Sequence, residues 1–111
     1  MRVAQVLYKG EKAGILSQED DGSFRFQYEH TWLAEGSKPR ISHTLPKRKA
    51  AYHSPYLFPF FYHMLPEGSN RQAVCYYHRI DEYDDFSILL ITANEDTIGA
   101  VSVKQSPDGN S

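Results

Sequence analysis

Apolar and polar positions alternate from the first residues. Val3, Gln5 and Leu7 interleave with Ala4, Val6 and Tyr8, and β-branched residues are frequent, which predicts a strand covered on one or both faces. Lys9-Gly10-Glu11-Lys12 supplies a turn, and Ala13-Gly14-Ile15-Leu16-Ser17 returns as the partner strand. A second turn, Glu19-Asp20-Asp21-Gly22-Ser23, leads to a stretch in which Phe24, Phe26 and Tyr28 share one face. These three segments read as an antiparallel meander.

After Tyr28 the period changes. Glu29 to Ala34 predicts one short helical turn, stopped by Gly36 and Pro39. Ile41 to Leu45 predicts a short strand ended by Pro46, and residues 47–53 a loop. Ser54-Pro55 has the form of an N-cap hydroxyl before a first-position proline. The helix it would open holds Leu57, Phe58, Phe60, Phe61, Met64 and Leu65, apolar on nearly all sides, and stops at Pro66-Glu67-Gly68. Ser69-Asn70-Arg71-Gln72 reads as a capping box for a second helix, lined by Ala73, Val74, Tyr76 and Tyr77 and ending near Arg79.

Asp84 or Asp85 caps a third helix with Phe86, Leu89, Leu90 and Ala93 on one face, and Asn94 suits a left-handed end. Gly99 to Val103 forms the last strand. The pattern predicts an α+β domain over residues 1–104, with a flexible tail over residues 105–111. Its architecture is a small twisted antiparallel sheet of about five strands packed with three short helices. The expected core is Phe24, Phe26, Trp32, Phe61, Leu65, Leu89, Leu90 and Val101.

Charge and composition narrow the function. Twelve Lys and Arg stand against 14 Asp and Glu, a net charge of −2, which weighs against a direct nucleic-acid binder. Lys47-Arg48-Lys49, with Lys38 and Arg40 upstream, reads as a solvated loop. The single cysteine, Cys75, excludes an intrachain disulfide and fits a reducing compartment. It sits in an apolar helical pattern, where a thiol is buried and inert. The N-terminus is too short in apolar residues for a signal peptide, and no run approaches the ~18 residues of a membrane span, so a cytoplasmic protein without membrane contact is expected.

No chemistry-bearing constellation emerges. His30, His43, His53, His63 and His78 lack the spacing that converges ligands on a metal. No glycine-rich phosphate loop or nucleophile elbow is present. The acidic run from Asp81 to Asp85 suits a helix start, and its spacing is not that of a calcium loop. The expectation is a non-enzyme with no cofactor and no metal. What stands out is eight Tyr, six Phe and one Trp, an aromatic load that suits protein–protein contact as well as a core. For Tyr62, Tyr76 and Tyr77 both readings stay open.

Phe60-Phe61-Tyr62-His63-Met64-Leu65-Pro66-Glu67-Gly68 resembles the F-F-x-x-L-L-P-E-G signature of the N-terminal subdomain of HipA-type kinases, the toxins of bacterial toxin–antitoxin systems. Gly14-Ile15-Leu16 is similar to an early G-x-L, and Phe26, Tyr28, Trp32 and Leu33 to an F-x-Y-x-x-x-W-L element. Pro39, Ser42, Leu45 and Pro46 follow as P-x-x-S-x-x-L-P, and Asn94 to Ala100 is similar to G-x-D-x-x-G-A. Met64 replaces leucine and Asn94 replaces glycine.

The resemblance covers about residues 1–104 and implies the kinase's N-terminal subdomain without its catalytic core. It implies a HipS-like antitoxin that binds and inhibits a HipA- or HipT-like serine/threonine kinase, with a HipB-like helix-turn-helix protein completing the set. A module that bridges the kinase and the DNA-binding protein without inhibiting is the alternative. The expected kinase-facing surface is Phe58 with the signature residues Phe61, Tyr62, His63, Met64, Leu65, Pro66, Glu67 and Gly68, flanked by Tyr76 and Tyr77.

Overall fold

A computed structural model describes residues 1–94 and 100–106. Strands β1 (Arg2–Tyr8), β2 (Glu11–Gln18) and β3 (Phe24–Tyr28) form the expected meander. β4 (Tyr52–Ser54) pairs with β3, and β5 (Val101–Gln105) pairs with β1. The sheet order is β4-β3-β2-β1-β5, and every pairing is antiparallel. The β1–β2 hairpin turns on Lys9 at φ 51° and Gly10 at φ 85°, the left-handed pair that matches strand twist.

Register explains which face is buried. Ala4, Leu16 and Phe26 lie side by side across three strands, and all three are fully buried. Their chain neighbours Gln5, Ile15 and Gln27 lie side by side on the opposite face and are only half-buried. One face carries the core and the other stays partly wet, as antiparallel sheets allow. Gly14 lets the strands close up: a Cβ there would meet the Gln27 carbonyl oxygen and the Phe26 ring at 2.7 Å.

Four helices occur among the described residues: α1 (His30–Ala34), α2 (Pro59–Tyr62), α3 (Gly68–His78) and α4 (Asp85–Thr92). Phe61 of α2 sits 5.8 Å from Phe26, and Trp32 of α1 sits 5.7 Å from Tyr8. Ile88 and Leu89 of α4 are fully buried, and the Val103 amide donates to the Ala93 carbonyl at 2.7 Å, tying α4 to β5. The expected core residues are all buried except Leu90, which is partly buried, and Ile88 joins them.

Several local expectations need correction. Ile41 to Leu45 is not a strand but a turn closed by an isolated Ser42–Leu45 bridge. The buried Tyr28 hydroxyl takes the place of a partner strand, accepting from the Ile41 amide at 3.0 Å and donating to the Leu45 carbonyl. Burial pushes the Tyr28 phenol above its ordinary range, against the hydrogen bond from Ile41. The fourth strand lies instead in the stretch read as loop. Three residues at a sheet edge are too few to show alternation.

Pro59, not Pro55, holds the first helical position, and Ser54 belongs to β4, its hydroxyl accepting from the Tyr56 amide in a turn. Leu57 and Phe58 lie outside any helix and lead into α2 as buried residues, which removes the paradox of an all-round apolar helix. The capping box does not form: α3 starts at Gly68 after Glu67, with no side-chain cap. Asp84 does cap α4, accepting from the Ser87 amide. The C-cap of α4 is Ala93 at φ −108°, while Arg79 closes α3 in the left-handed conformation at φ 58°. Gln105, assigned to the tail, belongs to β5. Residues 95–99, most of the last resembling motif, and residues 107–111 of the expected tail lie outside the described residues.

Candidate docking surface

The signature segment splits into an inner and an outer set. Phe58, Phe61 and Leu65 point into the core, and Met64 and Pro66 are half-buried. Tyr62, His63, Glu67 and Gly68 remain exposed, Tyr62 at 51%. The split follows from chain geometry: one helical turn leaves Phe61 facing Phe26, and the i to i+3 turns that bond Met64 to Phe61 and Leu65 to Tyr62 return Leu65 to the same side. The buried set holds the outer set in place and is not itself open to a partner.

Tyr76 and Tyr77 are exposed on α3, whose only buried residue is Cys75. So little apolar anchorage leaves a polar clamp to position the helix. The Arg71 guanidinium bonds Asp85 at 2.6 Å and reaches the Glu82 carbonyl from Nε at 3.1 Å. The hydrogen bond to Asp85 raises the Arg71 pKa further, so the guanidinium keeps its positive charge.

The sequence reading missed Tyr56 and Tyr83, which are 78% and 93% exposed. With Tyr62 they border a groove of about 290 Å³, floored by Phe24 and Leu57 and edged by Asp85. The available signal was their setting: each tyrosine stands among turn residues, Pro55 for one and Asp81 to Asp85 for the other, without an apolar period to bury it. The basic loop is largely engaged within the chain. Lys47 donates to the carbonyls of Glu35 and Lys38, and Arg48 lies 3.7 Å over the Tyr52 ring.

A depression of about 370 Å³ beside Ile15, Arg25, Gln27 and His30 mixes polar and apolar groups. Among the described residues, no group of three or more His, Cys, Asp or Glu could hold a metal ion. No helix of the described residues is long and apolar enough to cross a membrane.

Comparison with known proteins agrees with this architecture. The solved N-terminal domain of HipA toxin superposes with a TM-score of 0.70 at 29% identity, covering 98% of this chain and 96% of that one. An uncharacterized protein of Haemophilus influenzae is 33% identical over 105 residues, 95% of this chain and 93% of its own length. The "Putative kinase Y4mE" of Sinorhizobium fredii is 30% identical over 89 residues, which are 80% of this chain but 21% of that protein. Residues 4–104 match the family described as HipA N-terminal domain, and the chain belongs to that family.

Proposed function

We propose that this chain is a HipS-like antitoxin, acting in the cytoplasm by docking on a HipA-type serine/threonine kinase and restraining it. One observation carries the reading: the same domain occurs in two settings. It makes up nearly all of the Haemophilus protein, yet only about a fifth of a protein named as a kinase. A domain built to pack against a kinase body within one chain keeps the complementary surface when it is encoded apart. Without the tether, its occupancy is set by affinity and concentration, so its level becomes a control over the kinase. The division of the signature into a buried support and an exposed Tyr62–His63 tip fits a binding module.

The test is co-expression with the HipA-type kinase of the same genome. The expected result is a stable complex, lower kinase autophosphorylation and restored growth. A complex with unchanged kinase activity would make the chain an assembly module, with the HipB-like protein as the second partner. The absence of any complex would overturn the reading.

A further inference from the structure

The fold gathers acidic side chains at one end of the sheet. The β2–β3 turn brings Glu19, Asp20 and Asp21 to the end where the loop before α4 places Asp81, Glu82 and Asp84, and where Asp85 opens the helix. The link between them is direct: Arg2 bonds both Gln18 at the end of β2 and Asp84 at the start of α4. Three positive groups are paired with these seven carboxylates, the N-terminal amine with Asp20, Arg2 with Asp84 and Arg71 with Asp85, and the exposed Arg79 precedes Asp81 by two residues. Carboxylates outnumber positive groups at this end. At the other end lie Lys9, Lys12, Lys38 and Lys47, beside the β1–β2 turn and α1.

The tyrosine groove opens at the acidic end. It shares Gln18 and Gly22 with a second depression lined by Met1, Arg2, Glu19 and Asp20. Three exposed aromatic rings over an apolar floor, with Asp85 (paired with Arg71) at the edge and the other carboxylates at the same end of the sheet, form a receptor with a defined chemistry. Arginine suits it best, because a guanidinium can lie flat on a tyrosine face while its edge donates to a carboxylate.

Resting on the antitoxin reading above, we propose that the groove between Tyr56, Tyr62 and Tyr83 seats an arginine- or lysine-bearing segment of the partner kinase. Charge complementarity selects this occupant. A second copy of this chain would have to offer the end that holds its lysines, where Lys47 is held by backbone carbonyls, Lys38 by Glu11 and Lys12 by Glu29, which leaves Lys9 of that set. An acidic or nucleic-acid ligand would meet repulsion from the excess carboxylates.

The experiment uses the full chain and the HipA-type kinase of the same genome, with affinity measured at low and at near-physiological salt. Two variants are compared with the parent. Tyr56→Ser with Tyr83→Ser removes exposed rings whose loss leaves the core untouched. Glu19→Gln with Asp81→Asn and Glu82→Gln removes charge, and the asparagine at 81 retains an acceptor for the Tyr83 amide. The tyrosine variant should bind at least ~10-fold more weakly at both salt concentrations. The charge variant should bind more weakly at low salt, and its affinity should fall less steeply as salt rises.

Parent-like binding by both variants would overturn the groove while leaving the antitoxin reading intact. Failure of the parent itself to bind the kinase would overturn both. Loss of self-association in the variants, with kinase binding unchanged, would identify a second copy as the occupant and overturn the proposal.

Discussion

Arg2 and Asp84, 82 positions apart in the chain, meet in a two-point contact, with one guanidinium nitrogen 2.7 Å from Oδ1 and the other 3.2 Å from Oδ2. Asp84 also caps α4 by accepting from the Ser87 amide, and Arg2 lies 4.8 Å over the Phe86 ring. One carboxylate therefore fixes the start of a helix and fastens it to the first strand. Partial burial pushes its pKa up, but the hydrogen bonds from Arg2 and Ser87 together outweigh this and hold the carboxyl below its ordinary range.

The sign of the pH dependence follows. A carboxyl whose pKa is lower in the folded chain contributes stability above its unfolded value, about 4, and that contribution fades as pH falls through the folded value. Asp84→Ala should cost about 0.5–2 kcal/mol near neutrality, the range for losing an N-cap. The gap between parent and variant in denaturant unfolding should narrow below about pH 4. A gap that stays constant down to pH 2 would show that the charge of Asp84 contributes nothing.

Gly14→Ala tests the close approach of β2 to β3. The backbone at Gly14 is open to any residue, so the effect comes from space: the new Cβ would meet a carbonyl oxygen and a fully buried ring at 2.7 Å. Overpacking of this kind costs about 1–3 kcal/mol. A thermal midpoint equal to that of the parent would refute the clash.

Trp32 is 3% exposed, and its indole donates to the Pro39 carbonyl at 2.8 Å while its ring packs on Tyr8. Trp32→Ala should destabilise the domain by about 3–5 kcal/mol. Trp32→Phe keeps most of the apolar contact and loses the hydrogen bond, so it should cost less. A loss below about 1 kcal/mol for the alanine variant would mean that the indole does not support the core.

What could be read ahead depended on how regular each segment is. The meander was legible because Phe24, Phe26 and Tyr28 alternate cleanly with Arg25 and Gln27. The fourth strand was hidden because Tyr52, His53 and Ser54 borrow their pairing from Phe24 to Phe26 and carry no pattern of their own. Ile41 and Leu45 were misread because their hydrogen bonds go to a side chain distant in sequence, the Tyr28 hydroxyl, and local pattern does not encode that. The aromatic tip at Tyr62 was legible through its motif. Tyr56 and Tyr83 converge on it only through the packing of α2 and α4 against the sheet.

The last prediction separates folding from docking within one short segment. Phe61 and Tyr62 are neighbours in sequence, yet Phe61 is fully buried against Phe26 while Tyr62 is half-exposed beside the open His63. Phe61→Ala should therefore lower stability by about 3–5 kcal/mol. The double variant Tyr62→Ala, His63→Ala should unfold close to the parent, within about 1 kcal/mol. It should nonetheless bind the HipA-type kinase at least ~10-fold more weakly, equivalent to about 1.4 kcal/mol, and rescue growth poorly when the kinase is induced. Calorimetric binding and denaturant unfolding on the same preparations distinguish the two roles. If the double variant binds and rescues as the parent does, the contact has moved to Tyr76 and Tyr77, and truncating that exposed pair on α3 should then produce the loss instead.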